Sequence, residues 1–239
     1  KIDLDLRKQE LMPANVGVTK KRLQVNTSII QEAVNYFAIQ SLFKFSDKKA
    51  KPVFSQLGKH IDVCMPLIQN TKDVARLLEL EESAILSAYE STLRGFEMLN
   101  EDDHVIKFGH EAYPKLLEKT DDAPPFLFMR GNIQLANAPT TVAVVGTRNP
   151  SELGEKRARK LGELLGQYNI VVASGLAKGI DTAAHMGALE ANKKTVAVIG
   201  TPLTKVYPKE NANLQHSNSE KGLVISQFPP SSGIHRWHF

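Results

Sequence analysis

The chain of 239 residues holds a single cysteine, Cys64, so it closes no intrachain disulfide and fits a reducing, cytoplasmic setting. A thiol of this kind most often packs as a small hydrophobe. No long uninterrupted apolar segment occurs, which removes membrane-spanning helices. There is no His-Glu-x-x-His and no paired Cys-x-x-Cys, so no metal site is expected. The P-loop pattern Gly-x4-Gly-Lys-Ser/Thr is absent, and so is Gly-x-Gly-x-x-Gly. The second glycine-bearing strand ends in Ala173-Ser174-Gly175, not in the acid that grips a dinucleotide ribose. No nicotinamide, flavin or other cofactor is therefore expected. The chain starts at Lys1 without Met or a leader pattern and reads as a fragment or a trimmed piece at that end.

An apolar share of 42% is ordinary for a globular chain and is enough to build a core. The net charge of +4 is unevenly placed. Residues 141–239 carry 12 Lys/Arg against 7 Asp/Glu, and residues 1–140 carry 18 against 19. The basic excess lies with the glycine-rich loops, and a polyanionic partner suits it better than a neutral one.

Those loops occur twice in succession. Val142-Ala143-Val144-Val145 runs into Gly146-Thr147-Arg148, and Ile170-Val171-Val172-Ala173 runs into Ser174-Gly175-Leu176-Ala177-Lys178-Gly179. An apolar strand that stops at glycine and opens a polar helix aims backbone N–H groups and a helix N-terminus at one point, which favours anions. Arg148 and Lys178 add a cation to each loop. Arg148 is suited to hold a phosphate bidentately; a surface pair with Glu152 or Glu155 is its bland alternative. Ser151 is the expected cap of the following helix. Ser174 is not in a Gly-x-Ser-x-Gly elbow, so a phosphate hydrogen bond suits it better than a nucleophilic role, with the Gly175 N–H bare beside it. Gly179 permits a tight turn. Asp181 reads as a loop-shaping cap, while His185 reads equally as a structural or a contact residue. In the third loop, Lys205 and Asn211 reach for phosphate or a base edge, and Tyr207 either stacks on a base or packs inward.

Along the whole chain, residues 1–24 read as an irregular arm and 25–104 as a small all-helical domain. Helices are expected over 27–43 and 53–59, from Thr71, and from Glu81-Glu82 onward, with Lys44–Pro52 as a polar connector. Residues 105–239 read as a Rossmann-like α/β domain. Strands are expected at 126–130, 142–146, 170–174, 195–199 and 223–226, and helices at 151–167 and 181–191. Near-continuous apolar strands predict a doubly wound, mostly parallel sheet buried on both faces.

These pieces together resemble the DprA/Smf family of DNA-processing proteins. The resemblance rests on Val145-Gly146-Thr147-Arg148, on Ser174 through Asp181 with Ala184-His185 and Gly187-Ala188-Leu189, and on Tyr207-Pro208 with Asn211. It rests further on Gly222-Leu223 before Ser226-Gln227-Phe228-Pro229, and upstream on Tyr113-Pro114, Pro124-Pro125 and Arg130-Gly131-Asn132. It implies a non-enzymatic protein that binds single-stranded DNA in a basic pocket and helps load the RecA recombinase in natural transformation and recombination, with a homodimer as the full-length form. By motif, the implied contact residues are Gly146, Thr147, Arg148, Ser174, Gly175, Lys178 and Asn211, with Gly179, Lys205 and Tyr207 behind them. The family's domain continues past the Pro229-Pro230 region with an Arg-Asn-Arg element and further strands, so the chain is expected to be truncated within it. Two other readings stay open: a phosphoribohydrolase-like enzyme, whose Pro-Gly-Gly-x-Gly-Thr-x-x-Glu loop is not found in this sequence, and a small-nucleotide sensor.

Overall fold

The computed structural model describes residues 20–235, and of 20–26 the backbone only. The arm expected over 1–24 thus lies, as far as residue 19, outside the described residues. The first half is helical, with α1 (Lys20–Leu42), α2 (Asp47–Leu57), α3 (Thr71–Leu78) and α4 (Glu82–Phe96). A mixed stretch follows with β1 (Asp103–Lys107), β2 (Phe126–Gly131) and β3 (Thr141–Ala143). Then come α5 (Glu152–Gln167), β4 (Val171–Ser174), α6 (Ile180–Glu190), β5 (Thr195–Ile199), α7 (Ala212–Lys221) and β6 (Leu223–Ser226). No helix among the described residues is long and apolar enough to cross a membrane.

The six strands form one sheet in the order β1-β2-β6-β5-β4-β3. The last four are parallel neighbours, while β2 runs antiparallel to both β1 and β6. The fold is a mixed α/β sheet of the Rossmann-like type, as the alternating apolar runs predict. Strands β3 to β6 are added in one direction, and right-handed crossovers then place α5, α6 and α7 on a single face. The packing agrees: Val144 and Val172 meet Ala184 and Ala188 of α6 on that face.

That same face carries the helical layer. Phe37 of α1 lies 5.9 Å from Phe126 and 5.5 Å from Phe128, centroid to centroid, and Phe96 of α4 lies 5.6 Å from Phe128. The helices read from sequence as a domain of their own thus share one continuous core with β1, β2, β5 and β6. One ion pair fastens this seam and a second ties β1 and β2 to each other. Lys107 of β1 reaches Glu32 of α1 at 2.7 Å, and Arg130 of β2 grips the buried Asp103 of β1 through Nε at 2.6 Å and Nη2 at 2.8 Å.

The opposite face is covered by the 108–138 segment through Tyr113, Ile133 and Leu135, but this cover does not extend across the whole sheet. Val145 and Val198 stand 71% and 54% exposed, and all of β3 is exposed. The expectation that both faces are buried therefore fails at this end. The apolar runs had suggested it, but one-handed crossovers leave the far face to whatever loops reach it.

Three other differences follow from packing. The presumed connector Lys44–Pro52 is mostly helix α2, in spite of Pro52. Its first residue, Asp47, accepts hydrogen bonds from the Tyr36 hydroxyl at 2.6 Å and Gln40 Nε2 at 2.5 Å, and Ala50 is buried. Tertiary contact outweighs local polarity here. Helix α7 was not expected, because Ala-Asn-Leu-Gln-His-Ser-Asn-Ser-Glu-Lys shows one large apolar residue and poor helix formers. It is anchored by Leu214, which packs on the core, and by the buried Gln215, whose amide donates to the Lys205 carbonyl at 3.2 Å. Strand β1 was also missed, since its five residues are too short to show a period.

Candidate functional site

Three loops meet at the carboxyl ends of β3, β4 and β5, where ligands of open α/β sheets bind. The first, 144–151, leaves the exposed edge strand and enters α5. The Ser151 hydroxyl oxygen accepts from the Gly154 N–H at 3.2 Å, the cap expected from sequence. The second, 174–179, enters α6. The third, 200–211, contains a cis Tyr207–Pro208 peptide and ends in a short turn, Lys209–Asn211.

The first two loops are clamped to each other. Gly179 has φ +82°, and a β-carbon there would stand 2.4 Å from the Thr147 carbonyl oxygen and 2.9 Å from the Arg148 carbonyl carbon. The Ile180 N–H donates to the Thr147 carbonyl at 3.3 Å. Gly146 lies against Ile180, where a β-carbon would come within 2.7 Å. The backbones that carry Arg148 and Lys178 are therefore adjacent. Arg148 is exposed and enters no ion pair among the described residues; Glu152 pairs with Lys156 instead.

Ser174 and Gly175 correct the local expectation. The sequence left their hydroxyl and N–H bare for a phosphate. In the structure Ser174, 5% exposed, donates its hydroxyl to the Val144 carbonyl at 2.6 Å. The Gly175 N–H donates to Asp181 Oδ2 at 3.0 Å. Both groups lie at a buried strand tip, where an unpaired polar group is costly, and the protein supplies their partners itself. Asp181 is buried and shapes the loop, as read from sequence.

Asn211 is similarly engaged. Its Nδ2 donates to the Leu176 carbonyl and to Thr182 Oγ1, both at 2.8 Å. Leu176 sits at φ +57° with its side chain buried, a backbone strain held by this amide and by the core. Asn211 thus binds the third loop to the second. Lys205 is exposed, and its backbone carbonyl accepts from Gln215 at 3.2 Å. Tyr207 is 42% exposed.

His185 lies fully buried beneath the second loop. Thr195 Oγ1 donates to the Val172 carbonyl at 2.8 Å, so it accepts from the imidazole, whose Nδ1 is 2.6 Å away. That arrangement puts the proton on Nδ1 and leaves the buried Nε2 without a hydrogen-bond partner among the described residues; full burial makes the residue structural and not a contact. Burial pushes its pKa down to about 4, against a smaller upward pull from the Ser174 backbone.

The structure also brings in two residues of the third loop that sequence reasoning passed over. Glu210 Oε1 lies 2.5 Å from Lys178 Nζ. This hydrogen bond holds the Glu210 carboxyl below the usual range. Lys209, beside it, is exposed and in no ion pair among the described residues. The only sequence signal was adjacency to Asn211. No cluster of three or more potential metal ligands occurs among the described residues.

A mostly parallel sheet with interlocked, cation-bearing loops at its carboxyl edge defines a Rossmann-like α/β protein with a polar rim. Within that class the chain belongs to the family described as DNA recombination-mediator protein A, whose family model matches residues 104–239. It is 46% identical over 129 residues to the DNA processing protein DprA of Streptococcus pneumoniae, a match covering 54% of this chain and 45% of that protein. It is 35% identical over 171 residues to the Smf protein of Escherichia coli, covering 71% of this chain and 44% of that one. Among solved structures, it superposes on the X-ray structure of Streptococcus pneumoniae DprA with a TM-score of 0.58 and 29% identity, over 93% of this chain and 72% of that one. Each match to these two curated relatives takes in less than half of the relative's length.

Proposed function

We propose that the chain binds single-stranded DNA through the rim formed by its three loops, as a DNA-processing protein of recombination and transformation. The observation that supports this reading is the clamp of Gly179 on Thr147, which brings the backbones that carry Arg148 and Lys178 together at the sheet's carboxyl edge. Adjacent cations on a rigid backbone suit consecutive phosphates of an unpaired strand. Family membership and the basic excess of residues 141–239 support the same partner.

Within this reading the contact surface is Gly146, Thr147, Arg148 and Lys178, extended by Lys205, Lys209 and the exposed Tyr207 as a stacking platform. Gly179, Ser174, Gly175 and Asn211 hold that surface in shape from within, because their polar groups or their backbone are already engaged. The protein acts by binding and not by covalent chemistry. The family description as a recombination mediator supports delivery of the bound strand to a RecA-type recombinase.

Titration of a fluorescent oligo-dT into the full chain at two salt concentrations, alongside free mononucleotides, tests the proposal. Tight oligonucleotide binding that weakens with salt supports it. Preference for a mononucleotide, or release of free base, overturns it in favour of a nucleotide sensor or a hydrolase.

A further inference from the structure

We propose that Glu210 acts as an internal stand-in for phosphate: its carboxylate occupies the Lys178 subsite and competes with the DNA strand for it. The inference rests on the DNA-binding reading above.

The two charged side chains come from different loops, and each is held at its base. Lys178 precedes Gly179, which is packed against Thr147 and Arg148. Glu210 precedes Asn211, whose amide is bonded to Leu176 and Thr182 of the second loop. The loop framework thus brings the two side chains within reach, and they meet at 2.5 Å on the exposed rim. The framework does not need the contact, because Asn211 already ties the loops together. The carboxylate offers the ammonium what a phosphodiester oxygen offers, an anionic acceptor at hydrogen-bond distance.

The neighbouring charges show that this pairing is selective. Arg148, on the adjoining backbone, is left in no ion pair among the described residues. The nearby Asp181 carboxylate is buried and turned to the Gly175 N–H. Of the four cations of the rim, Lys178 is therefore masked, while Arg148, Lys205 and Lys209 are exposed and in no ion pair among the described residues. The mask is weak: Lys178 and Glu210 side chains are 53% and 64% exposed, and exposed ion pairs open readily. A strand first held at Arg148 presents its next phosphate at high effective concentration and displaces the carboxylate. Glu210 thereby lowers the affinity of the site for any ligand that must reach Lys178.

A double-mutant cycle with labelled oligo-dT and the full chain tests this, using wild type, Glu210→Gln, Lys178→Gln and the double variant. Glu210→Gln should bind about two- to fivefold tighter than wild type, the range set by an exposed pair. In the Lys178→Gln background the same change should have little effect. Equal gains in both backgrounds would mean a general field effect and overturn the inference, as would no gain at all. If Arg148→Ala weakens binding while Glu210→Gln matches wild type, only this inference falls. If neither wild type nor Glu210→Gln binds the oligonucleotide, the DNA-binding reading falls and this one with it.

Discussion

Gly179 presses so closely on Thr147 that a single added carbon would stand 2.4 Å from the Thr147 carbonyl oxygen. This contact joins two loops that are 30 residues apart in the chain but adjacent at the sheet edge, as the Ser174 to Val144 bond also shows. Gly179→Ala should therefore break the clamp. It meets both the clash and a φ of +82° that L residues rarely adopt. A loss of roughly 1–3 kcal/mol in urea unfolding is expected from the backbone strain alone, with oligonucleotide affinity falling further than the stability loss explains. A variant of wild-type stability and affinity would refute the clamp.

Arg148→Ala should separate binding from folding. The side chain is exposed and unpaired among the described residues, so stability should stay within about 0.5 kcal/mol of wild type. Affinity for oligo-dT should drop severalfold, and the slope of log affinity against log salt should flatten by about 0.7, one phosphate contact on a single strand. Anisotropy titrations across a salt series read both quantities.

His185 makes the fold acid-sensitive. Its pKa is lowered from 6.5 to about 4 by burial, so the unfolded chain binds the proton more readily than the folded one in that window. The stabilisation is complete above the unfolded value and is lost as pH falls from 6.5 towards 4. Between about pH 7 and pH 5 this group alone should remove roughly 2 kcal/mol of unfolding free energy. Chemical denaturation at the two pH values should show that loss. In His185→Gln the pH dependence should be shallower, though the variant starts from a lower stability through the disturbed Thr195 bond.

Phe37→Ala should test the shared core. The ring is 2% exposed and packs on Phe96, Phe126 and Phe128. Its removal should cost about 3–5 kcal/mol. Because helices and sheet meet at this ring, hydrogen exchange should speed up in β2 as well as in α1. Protection unchanged in β2 would show that the two parts unfold independently.

Much of the α/β half was legible in the chain itself. Apolar runs ended by Gly146, Gly175 and Gly200 mark β3, β4 and β5, and the helix-length stretches between these runs mark α5 and α6. These are local patterns, and backbone geometry enforces them locally. Helix α7 was illegible for the converse reason: it is tied in by Leu214 packing on the core and by the Gln215 bond to the Lys205 carbonyl, and no local period announces that. The helical layer was readable as helices but not as part of the sheet's core, because Phe37 and Phe128 are 91 positions apart and only folding brings them to 5.5 Å.

The sequence alone determined which residues carry charge at the rim and where the chain turns sharply: Arg148, Lys178 and the glycines around them. Tertiary structure decided what those groups do. It directed Ser174, Gly175 and Asn211 inward, left Arg148 open, masked Lys178 with Glu210, and buried His185 under the second loop. The physical reason is hydrogen-bond satisfaction. A polar group at a strand tip must find a partner once water is excluded, and that partner, Val144 for Ser174 or Leu176 for Asn211, is whatever the neighbouring strand or loop places within 3 Å.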